Sequence, residues 1–341
     1  MNRTLIQILR ELATGPKTFW QLISKQDSSI REFVEQLKNL VGQGLVEREK
    51  NLFKLTTDNL PVKICKIGDF RCRICGDGID PARADKLKKK FVEAARERPL
   101  PREDFDQGFM RKEDTLKRAF FMYERGDVEE KNIFILGDDD LLSLALGLME
   151  VAKLITVVEV DSRIINFIKR RAKELDISSI QVIKYNALDA LPSDLCGNYH
   201  TFVTDPVETH SGLKIFLGRC IQSLKGSGCS GYFGLTHLEA SLKKWYEIEK
   251  FLLDCNFVIT DILRDFSFYP EADNRWERFY STYRVLKEVP GIGLPRVNWY
   301  RSSFLRVEAT DKINLPPLPS LNSFKELYFD EETWATPALD S

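Results

Sequence analysis

Three consecutive aspartates stand where a nucleotide-binding corner usually carries glycines. Residues 135–146 read ILGDDDLLSLAL, so that an apolar strand and Gly137 precede Asp138, Asp139 and Asp140, and an apolar helix follows them. Such corners normally bind phosphate, because bare backbone and a helix N-terminus attract anions. Two like unit charges about 4 Å apart repel by about 4 kcal/mol at an effective dielectric near 20. The expected ligand is therefore cationic, which disfavours NAD, FAD and metal-free ATP.

Polar residues also end the neighbouring predicted strands. Glu159 ends the second strand, Asn186 follows the third, and Asp205 and Glu208 follow the fourth. In an open parallel sheet, ligands bind beyond the carboxyl ends of the strands. A carboxylate at the position of Glu159 typically accepts hydrogen bonds from ribose hydroxyls, and Asn186 can meet the adenine edge. An adenosyl sulfonium fits both features, whereas a helix N-cap would explain only one of the three aspartates.

Other chemistries have weaker support in the sequence. The histidines His200, His210 and His237 belong to no nucleophile or metal-ligand pattern, and His200 is expected to be structural. Cys72-x-x-Cys75 has no second pair of ligands, so a turn with two reduced cysteines is favoured over half a zinc site. No bound metal is expected.

Strand–helix alternation begins near Asn132 and predicts the element that positions these side chains. It indicates an α/β fold, a Rossmann-like doubly wound sheet that is mostly parallel. The predicted strands are 133–136, 154–160, 181–184, 200–204, 231–235 and 258–263, and the predicted helices are 141–149, 164–175, 213–224 and 242–253. The expected division is a winged-helix-like domain at 1–60, a connector with the Cys-x-x-Cys turn and a helix at 61–104, a catalytic domain at 105–310, and an extended, mobile acidic tail at 311–341.

Charge and composition restrict the possible partners. The net charge is −1, and the third helix of the N-terminal domain exposes Arg31, Glu32, Glu35 and Lys38, whose charges cancel. Domain packing or dimerisation is therefore favoured over DNA binding. The chain contains no run of 18 apolar residues, no signal-peptide core, and an odd number of scattered cysteines, seven in all. We expect a cytoplasmic protein without a membrane partner.

Several sequence blocks together resemble one family. They are FDQGFM (105–110), RGD (125–127), ILGDDDLLSLAL, VVEVDSR, TDPVET (204–209), LKGSGCSGYFGLT and NWY (298–300). Their order and spacing over about residues 60–310 resemble the branched-chain polyamine synthases of archaea and thermophilic bacteria, the N(4)-bis(aminopropyl)spermidine synthase family. The joint presence of the Gly-Asp-Asp-Asp and Asp-Pro-x-Glu-Thr blocks makes the resemblance specific. Two positions depart from the family pattern, which usually has proline at Val207 and aspartate at Asn186.

The resemblance implies an aminopropyltransferase with a methyltransferase-like sheet. It would transfer aminopropyl groups from decarboxylated S-adenosylmethionine, a co-substrate and not a cofactor, to the secondary amine of spermidine. The products would be N(4)-aminopropylspermidine, N(4)-bis(aminopropyl)spermidine and 5′-methylthioadenosine, and a homodimer is expected. The implied catalytic base is Asp139. The implied donor-binding residues are Gln107, Gly137, Asp138, Glu159, Asn186 and Asp205, and the implied substrate-binding residues are Asp140, Asp205, Glu208 and Trp299.

Two alternatives remain open from the sequence. An S-adenosylmethionine-dependent amino-group methyltransferase acting on nucleic acid would account for Asp205-Pro206 and the winged helix. Such enzymes usually place an aromatic residue near this block to stack on the flipped base, where this chain has Glu208. A winged-helix regulator that senses a ligand is the second alternative, against which the acidic crevice and the balanced third helix argue.

Overall fold

The fold is taken from a computed structural model of the chain. The structure describes residues 2–61, 63, 70–74, 78–270, 297–321, 325–330 and 332. Cys75, the second cysteine of the predicted turn, lies outside the described residues. Within them, no helix combines the length and the apolar character that crossing a membrane requires.

The N-terminal part is a small helical unit with a three-stranded sheet. Its elements are α1 (Arg3–Leu12), β1 (Lys17–Thr18), α2 (Phe19–Ile23), α3 (Ile30–Gly42), β2 (Val46–Glu49) and β3 (Leu52–Leu55), with sheet order β1-β3-β2. Side-chain caps fix the helix starts, because Asn2 accepts from Thr4 N and Ser29 accepts from Glu32 N. The order of elements matches the predicted domain, and its assignment as a winged helix stays a prediction.

This unit packs on the rest of the chain through a buried ion-pair network. Arg3 Nη1 donates to Glu308 Oε2 at 2.5 Å and lies 3.9 Å from Asp127 Oδ1. Within the larger domain, Arg306 Nε donates to Asp127 Oδ2 at 2.8 Å. Arg10 Nη2 lies 2.5 Å from Glu129 Oε1. These contacts join the N-terminal unit to the larger domain. A packing role for this unit stays a prediction.

The remaining chain builds a seven-stranded sheet with helices on both faces. The sheet order is β6-β5-β4-β7-β8-β10-β9, in which β4 to β8 are parallel neighbours. The strands are β4 (Asn132–Leu136), β5 (Leu154–Glu159), β6 (Ile180–Lys184), β7 (Thr201–Thr204), β8 (Ser230–Leu235), β9 (Phe257–Phe268) and β10 (Arg301–Ala309). The helices are α4 (Asp85–Ala94), α5 (Lys112–Glu124), α6 (Leu142–Gly147), α7 (Ser162–Glu174), α8 (His210–Ser223), α9 (Leu242–Asp254) and α10 (Lys325–Tyr328).

The doubly wound prediction is confirmed, with one correction at the edge of the sheet. The predicted alternation ends at 258–263 and does not include β10, which pairs antiparallel with both β8 and β9. The sequence RSSFLRVEA contains Arg306, and a charged residue at this position makes a buried strand hard to predict. Arg306 is only 2% exposed, and Asp127 supplies the opposite charge that its burial demands.

The topology places several loops at one edge. The chain runs from β4 outward to β5 and β6, then returns to β7 on the other side of β4. A crevice opens at such a switch point, beyond the carboxyl ends of the strands. The loops after β4, β5, β6, β7 and β8 therefore meet at the same edge of the sheet.

The described part of the C-terminal tail differs from the predicted mobile extension. Leu327 and Tyr328 are 3% and 6% exposed, because α10 packs against α8. Thr209 Oγ1 donates to the main-chain oxygen of Leu327 at 2.6 Å, and Lys244 Nζ lies 2.8 Å from Asp330 Oδ2. Residues 325–330 and 332 thus pack on the domain that contains the seven-stranded sheet.

Candidate functional site

A cleft lies at the carboxyl edge of the sheet and gathers most of the predicted site residues. Eight of the ten predicted residues line it: Gln107, Gly137, Asp139, Asp140, Glu159, Asn186, Asp205 and Glu208. The structure does not bring Asp138 and Trp299 to the described wall of the cleft.

The three consecutive aspartates point to three different partners. Both carboxylate oxygens of Asp138 lie 3.3 Å from Ser143 N in the first turn of α6, so this residue serves the helix start, behind the cleft. Burial raises the pKa of Asp138 to about 8. Leu141 has φ +59°, an uncommon value for a bulky residue, and this left-handed corner redirects the chain between the aspartates and α6. The prediction that Asp138 contacts the nucleoside is therefore not supported by its position.

Asp140 is held from behind the cleft. Its Oδ1 accepts from Met110 N at 2.9 Å and lies 3.5 Å from Arg98 Nη1. Burial raises the pKa of Asp140 to about 6, although Arg98 and Arg118 oppose the rise. Asp140 is thus an oriented carboxylate with cationic support.

No described residue holds the carboxylate of Asp139 by a hydrogen bond in this way, although the charge of Arg98 acts on it as well. Within the described part of the chain its carboxylate makes no hydrogen bond, and only its main-chain oxygen accepts, from Arg98 Nη1 at 3.4 Å. Burial raises the pKa of Asp139 well above its usual range, and the neighbouring charges of Asp140 and Glu159 add to the rise. A carboxylate in this environment binds a proton more strongly than an exposed one, which suits a general base.

Main-chain donors hold Glu159 in one orientation. Its Oε1 accepts from Val160 N at 2.7 Å and from Asp161 N at 2.8 Å, and its Oε2 accepts from Asp138 N at 3.1 Å. Burial nevertheless raises the pKa of Glu159. A carboxylate fixed in this way after the second strand of the switch point is suited to bind ribose hydroxyls.

The remaining predicted nucleoside contacts are also anchored. Gln107 Nε2 donates to Asp161 Oδ2 at 3.1 Å, and Gln107 Oε1 accepts from Arg102 N at 2.9 Å. Asn186 Oδ1 accepts from Leu188 N at 3.1 Å, which leaves its amide nitrogen as the group available to a ligand. Gly137 has φ +76°, which favours glycine at the turn between β4 and the aspartates.

A second group of carboxylates lines the cleft and consists of Asp106, Glu208 and Glu239. Glu208 Oε1 accepts from Thr236 N at 2.7 Å, and Tyr300 Oη donates to Glu239 Oε1 at 2.8 Å. Burial raises the pKa values of Asp106 and Glu208 well above their usual range, and Glu239 adds to both. Like charges gathered in one cleft favour a cationic ligand.

Sequence reasoning missed two members of this group. Glu239 follows β8 at the same edge, so the strand-end rule applied to the first four strands would have found it. Asp106 lies beside Gln107 in the FDQGFM block and is not among the predicted site residues.

The aromatic wall also differs from the prediction at one position. Trp299 packs edge-on against Tyr300 at 5.5 Å, and it is Tyr300 that lines the cleft. Tyr269 meets Tyr300 at 5.4 Å with perpendicular rings. Aromatic faces beside carboxylates add a favourable surface for a cation. No group of three or more histidine, cysteine or acidic side chains among the described residues could hold a metal ion.

The histidine prediction agrees with the structure at His200. His200 Nδ1 accepts from Asn132 N at 3.0 Å, and burial together with Lys225 and Lys131 lowers its pKa to about 4. The residue is a structural link between β4 and β7, away from the cleft.

Comparisons with known proteins agree on one family. The model of the branched-chain polyamine synthase A C-terminal domain matches residues 86–335. The N(4)-bis(aminopropyl)spermidine synthase of Methanocaldococcus jannaschii is 36% identical over 340 residues, which are 98% of this chain and 95% of that protein. The protein of the same name from Thermococcus kodakarensis is 35% identical over 341 residues, with the same coverage of 98% and 95%.

One solved structure aligns along most of the chain. It is the branched-chain polyamine synthase from Thermus thermophilus in complex with N4-aminopropylspermidine and 5′-methylthioadenosine. The alignment has a TM-score of 0.66 and 30% identity, and it covers 95% of this chain and 92% of the other.

The raised pKa of Asp139 predicts how stability depends on pH. Ionising this carboxyl in the folded state is unfavourable, so the penalty is present above the ordinary aspartate pKa of about 4 and grows until the folded-state pKa is reached. Asp139→Asn should therefore raise the free energy of unfolding of the ligand-free protein at pH 8, because the variant has no ionisation penalty at this position. Denaturant unfolding at a series of pH values measures this gain.

The gain should shrink towards zero as the pH falls to about 4. Asp58→Asn at an exposed position is the matched control and should change stability little at any pH. A gain of equal size at pH 8 and pH 4, or a loss at pH 8, would contradict the electrostatic origin.

Proposed function

This chain belongs to the branched-chain polyamine synthase family, and on that basis we propose that its cleft transfers aminopropyl groups from decarboxylated S-adenosylmethionine to the secondary amine of spermidine. The products are N(4)-aminopropylspermidine, then N(4)-bis(aminopropyl)spermidine, with one 5′-methylthioadenosine released at each transfer. One observation carries the proposal. Among the described residues that line the cleft, seven are carboxylates and none is lysine or arginine. Both substrates are polycations, and the donor has lost the carboxylate that would be repelled here.

The nucleoside of the donor is assigned to the β4–β6 side of the cleft. Glu159, oriented by three main-chain donors, accepts from the ribose hydroxyls, and Asn186 meets the adenine edge. Gly137 and Gln107 complete this side. The aminopropyl arm extends from the sulfonium towards Asp140 and Asp205, which receive its primary ammonium.

The acceptor is assigned to the second group of carboxylates. Asp106, Glu208 and Glu239 receive a terminal ammonium of spermidine, with Tyr300 holding Glu239 in place. An ammonium in this position places the secondary amine of the acceptor deeper in the cleft, towards Asp139. Asp140 and Asp205 thus bind the donor, and the second group of carboxylates binds the acceptor. The reacting atoms lie between these two sets of carboxylates.

The chemical step follows from this arrangement. The lone pair of the secondary amine attacks the methylene carbon next to the sulfonium, the carbon–sulfur bond breaks, and its electron pair leaves on the sulfur of neutral 5′-methylthioadenosine. In the first transfer the attack forms a protonated tertiary amine, which gives its proton to Asp139. In the second transfer the tertiary amine attacks and becomes a quaternary ammonium that has no proton to lose, so Asp139 takes the proton from the protonated tertiary amine before the attack. A carboxylate with a raised pKa is a stronger base for this transfer than an ordinary aspartate.

Product analysis tests the proposal. The purified protein is incubated with spermidine and either decarboxylated S-adenosylmethionine or S-adenosylmethionine, and the products are weighed by mass spectrometry. We expect mass increments of one and two aminopropyl groups with the decarboxylated donor alone. Asp139→Asn should reduce turnover by about a hundredfold or more, because general-base catalysis contributes that much. Its affinity for 5′-methylthioadenosine in calorimetry should change little.

Other outcomes would identify other functions. A methylated product from S-adenosylmethionine would indicate amino-group methyl transfer. Binding of either donor without any product would indicate a ligand-sensing protein. Near-normal turnover in Asp139→Asn would move the base to another carboxylate.

Acceptor selection should depend on charge at the second acidic group. Glu239→Gln keeps the shape of the side chain and removes its charge, so the Michaelis constant for spermidine should rise about tenfold, since a hydrogen bond to a charged group contributes about 1.5–3 kcal/mol. Spermidine acetylated at a terminal amine should be a poor acceptor of the wild-type protein, and the variant should discriminate less between the two. Steady-state kinetics with both acceptors at low and high salt measures this preference.

The control for this experiment is Glu93→Gln, which removes an exposed carboxylate of α4. Its kinetic constants should equal those of the wild-type protein. Equal use of both acceptors by the wild-type protein, independent of salt, would contradict selection by charge.

A further inference from the structure

We propose that Arg118 and Gly234 are positioning residues that lock Asp205 in place as the receptor for the donor ammonium, an inference that rests on the proposed function. Neither residue contacts a reacting atom. Arg118 acts from behind the cleft and Gly234 from its floor, and together they decide where one carboxylate points and how much charge it presents to Asp139.

Arg118 is fixed by contacts with three parts of the sheet. It lies in the middle of α5 and its side chain is 2% exposed. Its Nη1 donates to Asp205 Oδ2 at 2.6 Å, after the end of β7. Its Nε donates to Ser267 Oγ on β9 at 2.9 Å, and its Nη2 donates to Ser302 Oγ on β10 at 3.2 Å.

The plane of the guanidinium is fixed as well. Its central carbon lies 4.5 Å from the ring centroid of Phe304, which is fully buried in β10. A planar donor held by two hydroxyls and a ring has little freedom to follow a moving partner. Arg118 therefore fixes the position of Asp205, and the Oδ2 atom of Asp205 is used in that contact.

Gly234 determines the position of the other oxygen. A Cβ at this residue of β8 would lie 2.1 Å from Asp205 Oδ1 and 3.3 Å from Arg118 Nη2. Real atoms do not approach so closely, so Asp205 can lie over this strand only because residue 234 has no side chain. The glycine thus provides the space that Oδ1 occupies at the wall of the cleft, which Gly234 and Asp205 both line.

The contacts of Arg118 and Gly234 with Asp205, called the lock below, also determine the charges around the neighbouring base, Asp139. Arg118 faces Asp205, Asp140 and Tyr269, while Asp139 faces Asp140, Glu159, Asp205 and Arg98. Asp205 raises the pKa of Asp139, and Arg118 is the cation that offsets the charge of Asp205. Without Arg118, Asp205 and Asp140 would both lose a cationic neighbour, and the like charges around Asp139 would be less compensated.

Position and charge can be separated by three substitutions. Arg118→Met removes the cation, Arg118→Lys keeps the charge but loses the planar fork, and Gly234→Ala displaces Asp205 without changing any charge. Gly42→Ala is the matched control, because its Cβ would meet no atom within 4 Å and it lies at the end of α3, away from the cleft. Each variant is purified as the full chain, and kcat and both Michaelis constants are measured from pH 6 to about 10, the range in which a raised carboxyl pKa would titrate.

The lock predicts a different signature for each variant. Arg118→Met should move the acidic limb of the kcat profile upward by about one pH unit or more, so that the activity lost at pH 7 returns at higher pH. Arg118→Lys should restore the limb to near its wild-type position. Gly234→Ala removes no charge, so it should move the limb less than Arg118→Met does, and it should raise the Michaelis constant for the donor about tenfold, the usual effect of losing one charged hydrogen bond.

Two results would overturn the inference. A folded Arg118→Met protein whose kcat falls by the same factor at every pH would show that Arg118 is only structural. A Gly234→Ala protein that binds the donor as tightly as Gly42→Ala would show that Asp205 does not receive it. If Arg118→Met does not fold, Gly234→Ala and Arg118→Lys still decide the question.

Donor binding separates this inference from the proposed function. The affinity for decarboxylated S-adenosylmethionine is measured by calorimetry without an acceptor, so it requires no turnover. A wild-type protein that binds the donor but forms no product would end the proposed function. A weakened affinity in Gly234→Ala would still support the lock in that case, and an unchanged affinity would refute it.

Discussion

The accumulation of carboxylates in a partly desolvated cleft is the constraint on which the rest of the structure depends. Burial opposes ionisation of each carboxyl, and every ionised neighbour opposes it further. The pKa values of Asp139, Asp106 and Glu208 are accordingly raised well above their usual range, and that of Asp140 is raised to about 6. Ionising all of these carboxyls together without a cationic ligand is therefore unfavourable. A polycationic ligand removes this penalty when it binds, which couples substrate recognition to the ionisation state of the catalytic base.

Two arginines behind the cleft stabilise part of the negative charge of its carboxylates. Arg98 and Arg118 are buried on the far side of Asp140 and Asp205, where they stabilise individual carboxylates and stay out of the wall that meets the ligand. The carboxylate of Asp139 receives no hydrogen bond of this kind from the described residues, and it is the group that we propose as the proton acceptor. The antiparallel strands β9 and β10 supply the serines that hold Arg118, so the edge of the sheet that differs from a purely parallel arrangement also serves the site.

Much of the site was predictable from the sequence because of one geometric rule. Parallel strands that share a sheet end at the same edge, so polar residues after successive strands must meet, and Asp139, Glu159, Asn186, Asp205 and Glu208 do meet there. The rule gives the loop but not the direction of each side chain. The left-handed backbone at Leu141 turns the chain so that the start of α6 meets Asp138. Tyr300, and not its neighbour Trp299, lines the cleft. Strand β10 and the packed α10 depend on long-range partners, Asp127 for Arg306 and Lys244 for Asp330, which no local pattern contains.

Proton release on donor binding tests the central claim most directly. Calorimetric titration of the ligand-free protein with decarboxylated S-adenosylmethionine, in buffers of different ionisation enthalpy near pH 6.5, counts the protons that leave the protein. The sulfonium has no proton to lose, and the primary ammonium of the donor stays protonated at this pH. Neutral 5′-methylthioadenosine is the matched ligand, because it fills the nucleoside side without bringing a charge. The account predicts net proton release with the cationic donor and almost none with the neutral thioether, because a cation lowers the pKa of the nearby carboxyls. Equal proton release with both ligands, or none with the donor, would contradict it.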